Sequence, residues 1–123
     1  MLSVSALSDV PIAYIDEDVD IASAPSLRGL LRAASEGHDG LVVSFERCRY
    51  CDVSGIGILL EFQRKFGARF AVVVTREAPF RRVLNALGLL NTLDVFESVE
   101  SAVARVHSTS GQKHTQSERR VTS

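Results

Sequence analysis

Leu41-Val-Val-Ser-Phe-Glu-Arg-Cys-Arg-Tyr-Cys-Asp-Val-Ser-Gly-Ile-Gly-Ile-Leu-Leu60 is the stretch on which the fold turns. Its first five residues are almost continuously apolar, as in a strand covered on both faces, so part of the sheet is parallel or central. Arg49-Tyr-Cys51 extends that strand after a kink. The period then changes. From Gly55 to Phe66 the residues Ile56, Ile58, Leu59, Leu60, Phe62 and Phe66 recur at helical spacing. They cover roughly 200° of a wheel at ~100° per residue, which is more than one sheet contact needs. Part of the N-terminal half of this helix is therefore left over for a partner. Ser54 is the expected cap and Gly67 the expected stop.

Working outward, Arg69-Phe-Ala-Val-Val-Val-Thr75 is a second strand with an apolar centre. Ala78-Pro79 opens a helix with Phe80, Val83, Leu84 and Leu87 inward and Gly88 as its stop. Thr92 to Phe96 is a short last strand, and Ser98 caps a final helix with Val99, Ala102, Val103 and Val106 on one side. Toward the N-terminus, Val4 to Leu7 and Ile12 to Ile15 form a hairpin around the turn-forming Ser8-Asp-Val-Pro11. Asp16-Glu-Asp-Val-Asp20 is an acidic connection to a helix over about Ala24 to Ser35. Ser23 caps that helix, Pro25 sits in its first turn, Leu27, Leu30, Leu31 and Ala34 are buried, and Gly37 ends it. The alternation predicts an α/β fold, a mixed central β-sheet of four to five strands with about four helices packed on it.

A chain of 123 residues suits one domain. Apolar residues at 46% and charged residues at 24% exclude wholesale disorder and fibrous repeats. Residues 107–123 are polar and aperiodic, with three basic residues and one acidic, and read as a disordered tail of charge +2 on a domain spanning residues 1–106. The whole chain has 14 basic and 15 acidic residues, so removing the tail leaves 11 and 14, or −3. That balance makes no electrostatic case for DNA, RNA or anionic lipid as the main partner. No apolar run reaches the ~20 residues a membrane helix needs, and no signal-peptide pattern begins the chain, so a cytoplasmic protein without membrane insertion is expected.

The 41–60 stretch resembles the signature of the STAS family, the sulfate-transporter and anti-sigma-factor-antagonist domains, in which a buried strand leads into Asp-Ser-Ser-Gly and an apolar helix. Val19-Asp-Ile-Ala-Ser-Ala-Pro-Ser-Leu27 is similar to the family's segment before its first helix, and Val83-Leu-Asn-Ala-Leu-Gly-Leu-Leu90 to its hydrophobic helix ending in Gly-Leu. The likeness runs over about residues 3 to 106. It implies a protein-interaction module, an anti-sigma-factor antagonist that binds a serine-kinase-type anti-sigma factor and so releases a sigma factor. An alternative within the fold is a structural or regulatory subunit of a membrane transport complex. In the family the residue after the Asp is often a serine or threonine phosphorylated by the partner kinase. Here it is Val53, which has no hydroxyl, while Ser44 and Glu17 replace a common acidic residue and a common glycine. The resemblance places the docking face on Asp20, Ser23, Asp52, Val53, Ser54, Gly55, Ile56 and Gly57, with Ser54 the hydroxyl open to modification.

The residues carry their own chemistry. Asp52 precedes a helix N-terminus, whose free N–H groups and dipole favour a carboxylate or phosphate. A phosphate on Ser54 would be favoured by that dipole and repelled by Asp52 and Asp20, which could eject a partner. Gly55 and Gly57 each weaken the first turn by about 0.5 to 1 kcal/mol relative to alanine. Such a cost points to close approach, either by the adjoining strand or by a bound backbone. Cys48 and Cys51 have dithiol spacing, but redox pairs place the first thiol at a helix N-terminus, and both cysteines here precede the Asp. Two free thiols are expected, with a regulatory disulfide the alternative. His38, His107 and His114 show no metal-ligand spacing. A phosphoaspartate receiver would share the length, but it needs a lysine after its last strand, and the lysines are Lys65 and Lys113. No nucleophile–base pair, glycine-rich phosphate loop or paired carboxylate is visible, so neither enzymatic activity nor a cofactor is expected.

Overall fold

In the computed structural model, which describes residues 2–109, five strands and four helices alternate in one sheet-based domain. The strands are β1 (Leu2–Leu7), β2 (Val10–Ile15), β3 (Leu41–Ser44), β4 (Phe70–Val73) and β5 (Val95–Phe96). The helices are α1 (Ala24–Ser35), α2 (Val53–Phe66), α3 (Pro79–Ala86) and α4, residues 99–109. Strand order in space equals order in sequence. β1 and β2 form an antiparallel hairpin, and every later neighbour is parallel. Sequential order with an antiparallel first strand differs from the 2-1-3-4-5 parallel sheet of receiver-type folds.

The hairpin turn is Ser8-Asp9, both at positive φ (54° and 64°), the two-residue geometry whose twist matches the flanking strands. Side-chain alternation then divides the core in two. Ala13, Ile15, Leu41, Val43, Phe70 and Val72 point to the face covered by α1, α2 and α3. Ile12, Val42, Ala71 and Val73 point to the face covered by Val99, Ala102, Val103 and Val106 of α4. Apolar side chains on both faces explain why β3 and β4 lack a polar alternation.

α1 has the expected bounds, and Gly37 ends it at φ 79°. Several expectations need correction: Leu30 is half-buried, and the last strand is only Val95–Phe96. Val83 and Leu87 are exposed, at 36% and 51%. α3 is only two turns long, and the residues it buries form a single stripe, Phe80 and Leu84. Ser54 is not the cap of α2: the helix begins at Val53 and Asp52 caps it. Ser23 has no capping hydrogen bond to α1, because the chain already turns at Asp20. Ser98 does cap, accepting from the Ser101 N–H at 3.2 Å. α4 runs through residue 109, three residues into the expected tail, whose remainder lies outside the described residues.

Candidate functional site

The acidic connection after β2 and the kink after β3 meet as a small parallel bridge, Val19 to Cys51. The Val19 N–H donates to Tyr50 O at 2.9 Å, and the Asp52 N–H donates to Val19 O at 3.0 Å. This short contact fixes the Asp20 turn against the start of α2, which brings two sequence-distant parts of the expected site together. In the turn, Asp20 Oδ1 accepts from the N–H groups of Ala22 and Ser23 at 3.0 Å each, and Ser23 Oγ accepts from the Asp20 N–H at 2.9 Å. The exchange is the reciprocal logic of a capping box, one turn earlier than Ser23 alone suggests.

Asp52 closes the other side. Its Oδ1 accepts from the Ser54 N–H at 3.0 Å and the Gly55 N–H at 3.5 Å, and the Ser54 hydroxyl donates to the same oxygen. The Ser54 hydroxyl, with the N–H groups of Ser54, Gly55 and Ile21, holds the carboxyl below the usual carboxylate range, against an opposing desolvation effect. Asp52 thus caps α2 and also touches the Asp20 turn through Ile21. The Ser54 hydroxyl is committed to Asp52 and half-buried.

The expected docking residues divide by direction. Gly55 and Ile56 turn into the core, and Ile56 is buried among the α1–α3 face residues. A Cβ on Gly55 would lie 2.5 Å from Cys51 Sγ and 2.8 Å from Val19 Cγ1, so the close approach that requires glycine here comes from the chain itself. Asp20, Val53 and Gly57 face outward, and a Cβ on Gly57 would meet nothing within 4 Å. Val53 is 71% exposed, with Ile21 at 78% and Tyr50 at 50% on the segments it adjoins. Ile21 and Tyr50 lie inside the motif segments but were not among the expected docking residues. Their signal is an apolar side chain directly after a charged residue.

Cys48 and Cys51 are free and buried. Cys48 Sγ donates to Tyr50 O at 3.1 Å, and burial pushes its thiol up. Burial also pushes up Cys51, reinforced by Cys48 and Asp52. Both thiols are held in the unreactive protonated form, the opposite of a redox pair at a helix N-terminus. Ser44, buried at the end of β3, donates to Glu46 Oε1 at 3.1 Å beside a cleft of about 270 Å³ lined by Tyr14, Asp16 and Arg47. Among the described residues no three His, Cys, Asp or Glu side chains are grouped to hold a metal, and no helix is long and apolar enough to cross a membrane.

Residues 3–96 match the family described as "Mlab, STAS domain". Several solved structures share the fold. An anti-sigma factor antagonist from Mycobacterium paratuberculosis is 23% identical, with TM-score 0.77 over 86% of this chain and 92% of that one. The Bacillus cell fate determinant SpoIIAA in its phosphorylated form is 20% identical, with TM-score 0.60 over 86% and 99%. A sulfate transporter family protein from Wolinella succinogenes is 24% identical, with TM-score 0.62 over 82% and 92%. No curated protein sequence matches the chain.

Proposed function

The chain belongs to the STAS domain family, and from that premise we propose that it is a non-enzymatic interaction module, an anti-sigma-factor antagonist that docks on a serine-kinase-type anti-sigma factor and so frees a sigma factor. The observation that carries the reading is the fixed outward face of Ile21, Tyr50 and Val53. These apolar side chains are exposed on segments tied together by the Val19–Cys51 bridge and the Asp52 cap. A face held rigid before binding loses little conformational freedom on docking, and apolar anchors at its centre are what protein interfaces use. Asp20 and Asp52 add negative charge, which complements a basic partner surface.

On this reading Val53 takes the position that the family resemblance assigns to a phosphorylated serine or threonine. An uncharged side chain there keeps the face competent to bind without a phosphate cycle. The Wolinella likeness supports a second reading, a STAS subunit of a membrane transport assembly. Affinity capture from the native cell, followed by mass spectrometry, separates the two readings: a kinase-type anti-sigma factor supports the first, and a permease or transport ATPase the second. Gly57→Arg then tests the face. It should abolish capture of the partner and leave the circular dichroism spectrum unchanged, because the added side chain projects into open space. Undiminished capture would place the docking surface elsewhere.

A further inference from the structure

Among the described residues β1 pairs with β2 on one side only and is an edge of the sheet. The turn Ser8-Asp9 determines which backbone groups that edge presents. Residues flanking a two-residue hairpin turn exchange both hydrogen bonds, and bonded and non-bonded pairs then alternate. Along this register the bonded pairs are Leu7–Val10, Ser5–Ile12 and Ser3–Tyr14. Leu2, Val4 and Ala6 therefore turn their N–H and C=O groups away from β2, toward the open side. The same phase explains Pro11, which stands opposite Ala6 in a non-bonded pair. Its missing N–H would have pointed at β3, whose ladder with β2 begins only at Ile12–Val42.

Sheet edges in soluble proteins are ordinarily guarded by a charge, a proline, a bulge or extreme shortness. Leu2-Ser-Val-Ser-Ala-Leu7 has no charged residue and no proline, and its six residues pair with β2 in unbroken register. Val4 is 49% exposed and Leu7 47%. The opposite edge, β5, is guarded by having two residues.

We propose that the β1 edge docks a second copy of this chain, the two β1 strands pairing antiparallel about a two-fold axis at Val4. In that register Val4 faces the partner's Val4 and Leu2 faces the partner's Ala6, so every outward donor meets an outward acceptor. Three features select a second copy. Antiparallel pairing of a strand with itself is self-complementary, which is the requirement of a two-fold interface. The uncharged edge brings no like charges together across the axis. Pairing β1 with another copy's β5 would engage only two residues, so the contact closes as a dimer and does not propagate as a filament. One strand edge buries less than the ~1,200 Å² of a standard stable interface, so the dimer is weak and reversible. It uses no residue of the Asp20–Val53 face and leaves that face open on both copies.

The experiment is sedimentation velocity of the full chain from ~10 μM to ~1 mM, the range in which so small an interface becomes populated. The weight-average mass should rise from 13.4 kDa toward twice that value. Val4→Lys, which sets two ammonium groups opposite each other, should weaken association by ~10-fold or more without changing the circular dichroism spectrum. Hydrogen exchange on the natural chain provides a readout that needs no variant: the Val4 and Ala6 amides should slow as concentration rises. A single-chain mass across the whole range overturns the proposal, and so would leave the edge to a strand from another protein. Dimerisation undiminished in Val4→Lys, or concentration-dependent protection confined to other strands, also overturns it.

Discussion

Two glycines near the start of α2 face opposite environments. A Cβ on Gly55 would press within 2.8 Å of both Cys51 Sγ and Val19 Cγ1, whereas a Cβ on Gly57 would meet nothing within 4 Å. Both have the same intrinsic cost to the helix, about 0.5 to 1 kcal/mol relative to alanine. At Gly55 that cost permits the bridge that holds the two loops together. At Gly57 the interior requires nothing, and a flat surface beside Val53 is what remains. One residue type thus separates the inside of the junction, which sets its geometry, from the outside, which is free to meet a partner.

The largest effect should come from filling the inside. Gly55→Ala gains helix propensity, but overpacking against Val19 and Cys51 costs about 1 to 3 kcal/mol, so a net loss is expected in urea unfolding. Adding Cys51→Ala removes the nearer clash, and the pair should depart from additivity by about 0.5 to 3 kcal/mol. A Gly55→Ala protein as stable as the natural one would mean the junction yields easily, and the contrast between the two glycines would fail.

Asp52→Ala tests the cap that joins inside to outside. It leaves the leading N–H groups of α2 without their acceptor and should lower the urea midpoint, by less than a full steric clash does. Its signature is in pH. The folded state holds this carboxyl below its ordinary value, so its contribution is fully present above the unfolded pKa of ~3.9 and is lost as pH falls through the lower folded value. The natural protein should therefore lose stability over that acid window more steeply than Asp52→Ala. Parallel acid profiles would show that the carboxylate does no more than a neutral acceptor.

Gly57→Ala should have a smaller effect of opposite sign. With open space around the new methyl and no positive φ to strain, it should stabilise the protein by about 0.5 to 1 kcal/mol. Destabilisation would mean that Gly57 packs against something, and the outer face would need redrawing.

The sequence made this junction only half legible. A strand starting at Leu41, read one residue too long to Phe45, and the helix stopping at Gly67 followed from apolar period and stop residue, because burial on both sides of a sheet leaves a direct pattern. What period cannot carry is a contact between distant segments. The Val19–Cys51 bridge turned Asp52 into the cap and left Ser54 as a donor to it, while Ser23 became the answering half of the Asp20 turn. The α2 cap was assigned two residues late because Ser and Asp are both good caps and the choice between them depends on how the preceding loop is held, whereas at α1 Ser23 holds the expected position without the capping bond. Val83 and Leu87 failed differently. Apolar spacing marks a helix face without saying how wide a stripe of it is covered, and in the two turns of α3 only Phe80 and Leu84 are buried.

The smallest effect on stability should come from Val53→Ser, the change that bears most on function. Val53 is 71% exposed in the first turn, so the substitution should shift the unfolding midpoint by no more than about 0.5 kcal/mol. The hydroxyl it introduces would stand at the position to which the family resemblance assigns phosphate, beside the leading N–H groups of α2 that Asp52 caps. Those groups favour an added dianion, and Asp52 beside it disfavours one. With its genuine kinase partner and ATP, the natural protein should take up no phosphate on α2, whereas the serine variant should be phosphorylated and then released. Stoichiometric phosphate on Ser54 of the natural chain would break this expectation. That hydroxyl would first have to leave Asp52 and then carry its charge against the same carboxylate. Such a result would mean that the cap is undone in the bound complex and that the rigid junction is a property of the free chain alone.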